Sequence, residues 1–114
     1  ERSPAMAVYA FTRCGGLYLT LAAALHNASP DQAKVMEEHA GKAMLLAYTI
    51  NKNVDDRGLN KNIMPEAIAD QAMRIGKLYR DRWVSNRDAT GHGSDAFFEA
   101  EVEVCLALMT AGAN

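Results

Sequence analysis

Apolar residues recur along the chain at spacings of three to five, and that rhythm predicts four helices, at about 4–26, 30–53, 63–88 and 95–111. In the first, Met6, Tyr9, Cys14, Leu17, Leu21 and Leu25 form the expected inner face with Tyr18 beside them, and Ser3-Pro4 supplies the start signal. Ser29-Pro30-Asp31-Gln32 opens the second. Ser29 and Gln32 have capping-box spacing, Pro30 suits the first turn, and Asp31 suits the positive helix end. Its stripe is Val35/Met36, Ala40, Ala43/Met44, Ala47 and Ile50, with Lys34, Glu37, Glu38 and Lys42 outward. The third stripe runs Ile68, Ala72, Ile75, Leu78/Tyr79 and Trp83. After the break at Ala89–Ser94, with Ser94 as cap, the fourth carries Phe97/Phe98, Val102, Cys105 and Leu108/Met109.

The longest polar interval, Asn51 to Asn62, is rich in Asn, Asp and Gly and is expected to be the main loop. No stretch alternates apolar and polar residues at period two, so the expected fold class is all-α: one domain, 1–114, built as an antiparallel four-helix bundle. Between Pro4 and Leu25 the only charge among 22 residues is Arg13. A membrane span needs about 20 apolar residues, and Arg13 leaves only Cys14–Leu25 charge-free. The segment therefore reads as a buried helix, with a subunit interface as the alternative, and no membrane span is expected. The opening Glu1, in place of Met, reads as a processed or trimmed start.

The two cysteines carry the strongest inference. Cys14 and Cys105 fall on the inner faces of the first and last helices, which are neighbours in an up-down bundle. A disulfide between them would place the protein in an oxidising compartment, periplasmic or secreted. Two reduced core thiols in a cytosolic protein are the alternative. A catalytic Cys14 has only the adjacent Arg13 in its favour, with no Cys-His pattern to support it.

A formal net charge of -2 with 23% charged residues excludes a strongly basic nucleic-acid binder and a disordered tail. No Glu-x-x-His pair and no Cys-x-x-Cys-His occurs, so neither a di-iron bundle nor covalent haem is expected, and no cofactor or metal is assigned. His39 has Met36 and Met44 on its own helix, where neither could ligate the opposite side of a haem iron. Asn51-x-Asn53-x-Asp55 imitates the start of a calcium loop but lacks the Gly and Glu that the motif needs. No nucleophile elbow or phosphate loop is found, and no catalytic residue is named.

Charge is distributed unevenly. From Arg74 to Arg87 the third helix carries Arg74, Lys77, Arg80, Arg82 and Arg87 against one acid, Asp81, while from Asp95 to Glu103 the fourth carries Asp95, Glu99, Glu101 and Glu103 with no base. The expected arrangement is mutual attraction across the Gly-rich turn. The alternative is a surface for a protein partner centred on Tyr79, Arg80, Arg82 and Trp83, residue types common in binding hot spots.

The segments FTRCGGLYLTLAAAL and EVEVCLALM, each holding one cysteine, give the chain a resemblance to small two-cysteine helical proteins of bacterial periplasms. Among characterised members, it resembles the immunity proteins against type VI amidase effectors. That resemblance implies a dimeric inhibitor that plugs an enzyme cleft with a surface loop. No recognition motif carries over residue by residue. The resulting expectation is a non-enzymatic, exported helical protein that binds another protein, with a homodimer through the first helix. A bundle holding an apolar ligand (lipid or haem) and a redox-active thiol protein are the alternatives.

Overall fold

A computed structural model describes residues 4–56 and 65–112 and contains four helices: α1 (Pro4–Leu25), α2 (Pro30–Asp56), α3 (Pro65–Thr90) and α4 (Ala96–Gly112). The fold is all-α, as the periodicity predicts, and α1 is its axis. The other three helices pack on different sides of it. The core gathers Phe11, Cys14, Leu17 and Tyr18 of α1 with Ala40, Ala43 and Ala47 of α2, Ile68 and Tyr79 of α3, and Phe98, Cys105 and Met109 of α4. Because α2 presents alanines inward, it lies close along α1, where His39 packs its ring against Tyr18 at 5.1 Å.

At the α1–α3 crossing the two backbones nearly touch. A methyl group on Gly16 would stand 2.7 Å from the Ala72 carbonyl and 2.9 Å from the Gly76 nitrogen. The Thr20 hydroxyl meets the Gly76 carbonyl at 2.9 Å and that of Gly16 at 3.0 Å. Gly16 and Thr20 thus face Ala72 and Gly76, two small residues four apart on each helix. Replacing Gly16→Ala must push the helices apart and should cost about 1–3 kcal/mol in urea unfolding. Gly41, with open space around it, provides the control position for the same change.

Several sequence expectations are corrected. Asn51 to Asp56 belong to α2 rather than to a loop, because buried Asn51 continues the inner row of Ala40, Ala43 and Ala47. Asn51, Asn53 and Asp55 therefore sit on a helix rather than in the loop that a calcium-binding motif needs. The rest of the expected loop, from residue 57, and the Ser3 start signal lie outside the described residues. Asp95, not Ser94, caps α4: its Oδ1 accepts the Phe98 N–H at 3.0 Å. Ser29 does occupy the cap position of α2, its carbonyl accepting the Ala33 N–H at 2.9 Å.

The α3–α4 corner explains the displaced cap. Gly91 adopts φ 85°, the left-handed conformation that ends α3. A side chain on Gly93 would fall inside the Trp83 indole, so glycine lets Trp83 close over the turn and meet Phe98 edge-on at 5.4 Å. Asp95 Oδ2 accepts from Arg82 Nε at 3.1 Å, from Arg82 Nη2 at 2.9 Å and from Asn86 Nδ2 at 2.9 Å. These donors, the Phe98 amide foremost, hold the Asp95 carboxyl below its usual range.

A carboxyl with a depressed folded pKa contributes stability that is complete above its unfolded pKa and fades as pH falls through the folded value. The Asp95 contribution is therefore present near neutrality and is lost below about pH 4. Asp95→Asn retains a capping side chain without the charge. Its thermal midpoint should fall less steeply than that of the parent between about pH 5 and 2, and parallel curves would show that the charge contributes nothing.

Candidate functional site

The uncovered side of α1 lies between α3 and α4. An open apolar groove of about 480 Å³ runs there between α1 and α4, its walls formed largely by Met6, Tyr9 and Ala10 on one side and Val104 and Leu108 on the other. Tyr9 and Arg13 also line an adjoining hollow of about 310 Å³, bounded by Leu78, Tyr79 and Phe97. Met6 is 61% exposed and Tyr9 49%, against the inner positions that the periodicity assigns them. The reason is geometric: with three neighbours, α1 keeps one open side. The adjacent pairs Leu78/Tyr79 and Phe97/Phe98 resolve similarly, with Tyr79 and Phe98 turned inward and Leu78 left 70% exposed.

A polar cluster forms part of the groove floor. Arg13 Nε donates to the Tyr79 hydroxyl at 2.9 Å, that hydroxyl donates to Glu101 Oε1 at 2.7 Å, and the Arg13 guanidinium is ion-paired with the same carboxylate. Burial first, and Glu101 after it, pushes the Tyr79 hydroxyl up to about 12 against the opposing pull of Arg13. Arg13 is raised above the ordinary guanidinium range, first by its bond to Tyr79 and then by Glu101. Tyr79 thus remains neutral and Arg13 charged near neutral pH. The arrangement is an internally compensated strut joining α1, α3 and α4.

Beside it, Cys14 and Cys105 form a disulfide with Cα atoms 5.6 Å apart. The predicted pairing is therefore present. Both residues are buried, and both contribute to the groove floor. No free cysteine remains among the described residues. Among those residues, no three His, Cys, Asp or Glu side chains gather as a metal site would require.

The proposed partner residues Tyr79, Arg80, Arg82 and Trp83 are neighbours on α3 that differ in exposure. Tyr79 is buried in the strut, and Trp83 is packed between Phe98 and the Gly93 turn. Arg82 lies 4.2 Å above the Phe97 ring while paired to Asp95. Arg80 is exposed, beside a hollow lined by Leu19 and Met73. The basic and acidic segments meet through Arg82 and Asp95, whereas Glu101 turns to Arg13 on α1. Sequence reasoning missed the role of Glu101. The available signal was the lone Arg13 in an apolar helix, one residue before a cysteine whose partner lies four residues after an acid.

Comparison of the chain with protein-family models, curated proteins and solved structures shows no match to any of them. What the structure defines is a small all-helical protein with one disulfide, an arrangement consistent with an oxidising compartment. By length and composition Ala5–Leu25 could cross a membrane or serve as a signal segment; half of its most apolar 18-residue window is buried in this fold.

Proposed function

We propose that this protein works by binding protein rather than by catalysis, in the periplasm or outside the cell, and that the α1–α4 groove is its docking face. The observation that carries this reading is the exposure of Met6, Tyr9 and Val104 side by side over a rigid, charge-compensated floor. Met, Tyr and Arg are the residue types enriched where proteins meet. The export reading rests on the disulfide, and the resemblance to periplasmic immunity proteins suggests an inhibitor as the particular form. The apolar-ligand alternative draws on the same groove, which is only about half enclosed, whereas small-molecule sites bury most of their ligand.

The test places a photo-crosslinking benzoylphenylalanine at Tyr9 of the exported protein and, as a control, at exposed Val35 on α2. The expected result is a discrete protein adduct from Tyr9, copies of this chain included, and none from Val35. Purified adduct partner should then bind the parent chain at least about tenfold more tightly than Tyr9→Ala. Equal labelling from both positions, or none from either, overturns the reading.

A further inference from the structure

At the α1–α3 crossing we infer a second docking site, one that takes an acidic peptide segment of a partner protein. The close approach of the two helices leaves a hollow of about 230 Å³, lined largely by Leu19 and Ala23 of α1 and by Met73, Gly76, Lys77 and Arg80 of α3. It shares no lining residue with the α1–α4 groove, and the inference does not depend on the reading of that groove. Two cations border the hollow, and none of its lining residues is acidic.

The same side of α3 continues as Met73, Lys77, Arg80, Val84 and Arg87, which recur at helical intervals and are all exposed, Met73 at 63%. On the facing helix, Cys14 to Leu25 contains no charged residue. Among the described residues the ion pairs are Arg13–Glu101 and Arg82–Asp95, so Lys77, Arg80 and Arg87 have none. A carboxylate brought here meets two cations without displacing an existing pair. An apolar side chain flanked by carboxylates matches the whole arrangement: it fills the hollow against Leu19 and Met73, while Lys77 and Arg80, one helical turn apart, receive the acids.

The acids of α3 favour a peptide over an anionic lipid surface. Asp81, nine residues after buried Ala72, is turned about 180° from it, and Asp70 and Asp88 are turned about 160°. They stand on the outward crest of α3, which a flat surface would meet first. A segment entering the crossing meets Arg80 and Lys77, about 80° and 140° from Ala72, ahead of those acids. The net charge of -2 likewise opposes a broad negative surface.

The probe is a labelled, alanine-based helical peptide carrying one leucine, with glutamates three residues before it and four after, followed by fluorescence anisotropy in about 50 mM salt. The disulfide-bonded protein should bind it with a Kd below about 500 μM, and a glutamine version at least about tenfold more weakly. Lys77→Glu together with Arg80→Glu should abolish that binding and confer binding to a lysine version, with far-ultraviolet circular dichroism unchanged. Lys34→Glu together with Lys42→Glu on α2 makes the same change in net charge and should alter the Kd by less than about twofold. Tyr9→Ala should leave it unchanged.

No binding of the glutamate peptide, equal binding of the glutamine version, or an equal loss from the α2 changes overturns the proposal. So does a protein that ignores the peptide but co-sediments with phosphatidylglycerol vesicles through Lys77 and Arg80, which would make the occupant a lipid surface. In each of these cases a discrete protein adduct from Tyr9 still supports the groove as a docking face, so the two sites stand or fall separately.

Discussion

Removing the Cys14–Cys105 bond, by reduction or by the paired changes Cys14→Ser and Cys105→Ser, should shift the urea midpoint sharply downward. The bond spans a sequence separation of 91 residues. For a loop of that length, chain entropy sets a ceiling of about 4–5 kcal/mol, a large part of the 5–15 kcal/mol typical of a whole domain. The loss should not be uniform. Among the described side chains of α4, only Phe98, Cys105 and Met109 are buried, whereas α2 lies close along α1 through a row of alanines. Native-state hydrogen exchange of the reduced protein should therefore lose protection first in α4, with α1 and α2 the last to open. An unchanged midpoint would mean that the Arg13–Tyr79–Glu101 strut and the α3–α4 corner suffice to hold α4.

The second large effect is expected from Phe98→Ala, at about 3–5 kcal/mol. Phe98 is 1% exposed and meets Trp83 at 5.4 Å, Phe97 at 5.6 Å and Tyr79 at 6.0 Å between ring centres. Its removal would leave a space bounded by rings already held in place by Gly93, by Arg82 and by the polar strut, so the site can collapse only partly. Phe97→Ala, one residue away, should cost about 1 kcal/mol or less, because that ring is partly in water beneath Arg82. Urea unfolding followed through Trp83 fluorescence measures both. Equal losses would contradict the inward and outward assignment of the pair.

For the proposed function, these two results separate scaffold from face. Phe98 and the disulfide hold α4 against α1, and so hold Val104 and Leu108 opposite Met6 and Tyr9. The reduced protein should lose the groove even where its helices persist. Reduction should therefore abolish whatever docking the groove supports, and the binding experiment above requires the oxidised protein.

The four helices, their order and the sulfur pairing were legible in the chain because they depend on local or nearly local chemistry. Apolar residues at helical spacing, Ser29-Pro30 before an apolar stripe, glycines between α3 and α4, and cysteines on inward positions of the first and last helices each point one way. Two positions were not resolved correctly by the sequence because neighbouring residues compete for one site. Ser94 and Asp95 both cap helices well, and Asp95 prevails because Arg82 and Asn86 reach it from α3. Phe97 and Phe98 are both apolar, and the positions of Trp83 and Tyr79 on α3 decide which is buried.

The candidate site was the least readable part, because it is made of what the fold leaves uncovered. Periodicity assigns Met6 and Tyr9 to an inner face, and they would be inside if α3 and α4 closed over α1. Local pattern alone determined that this protein is helical, in four pieces, with a cysteine on an inward position of the first and of the last; the structure decided that the two are bonded. Tertiary packing decided that α1 is the axis, that Gly16 and Gly76 let α3 approach it closely, and that Glu101 turns to Arg13. It also decided that one apolar side of α1 stays open. Those outcomes depend on which helix sides meet, a property of pairs of distant segments rather than of any one segment's composition.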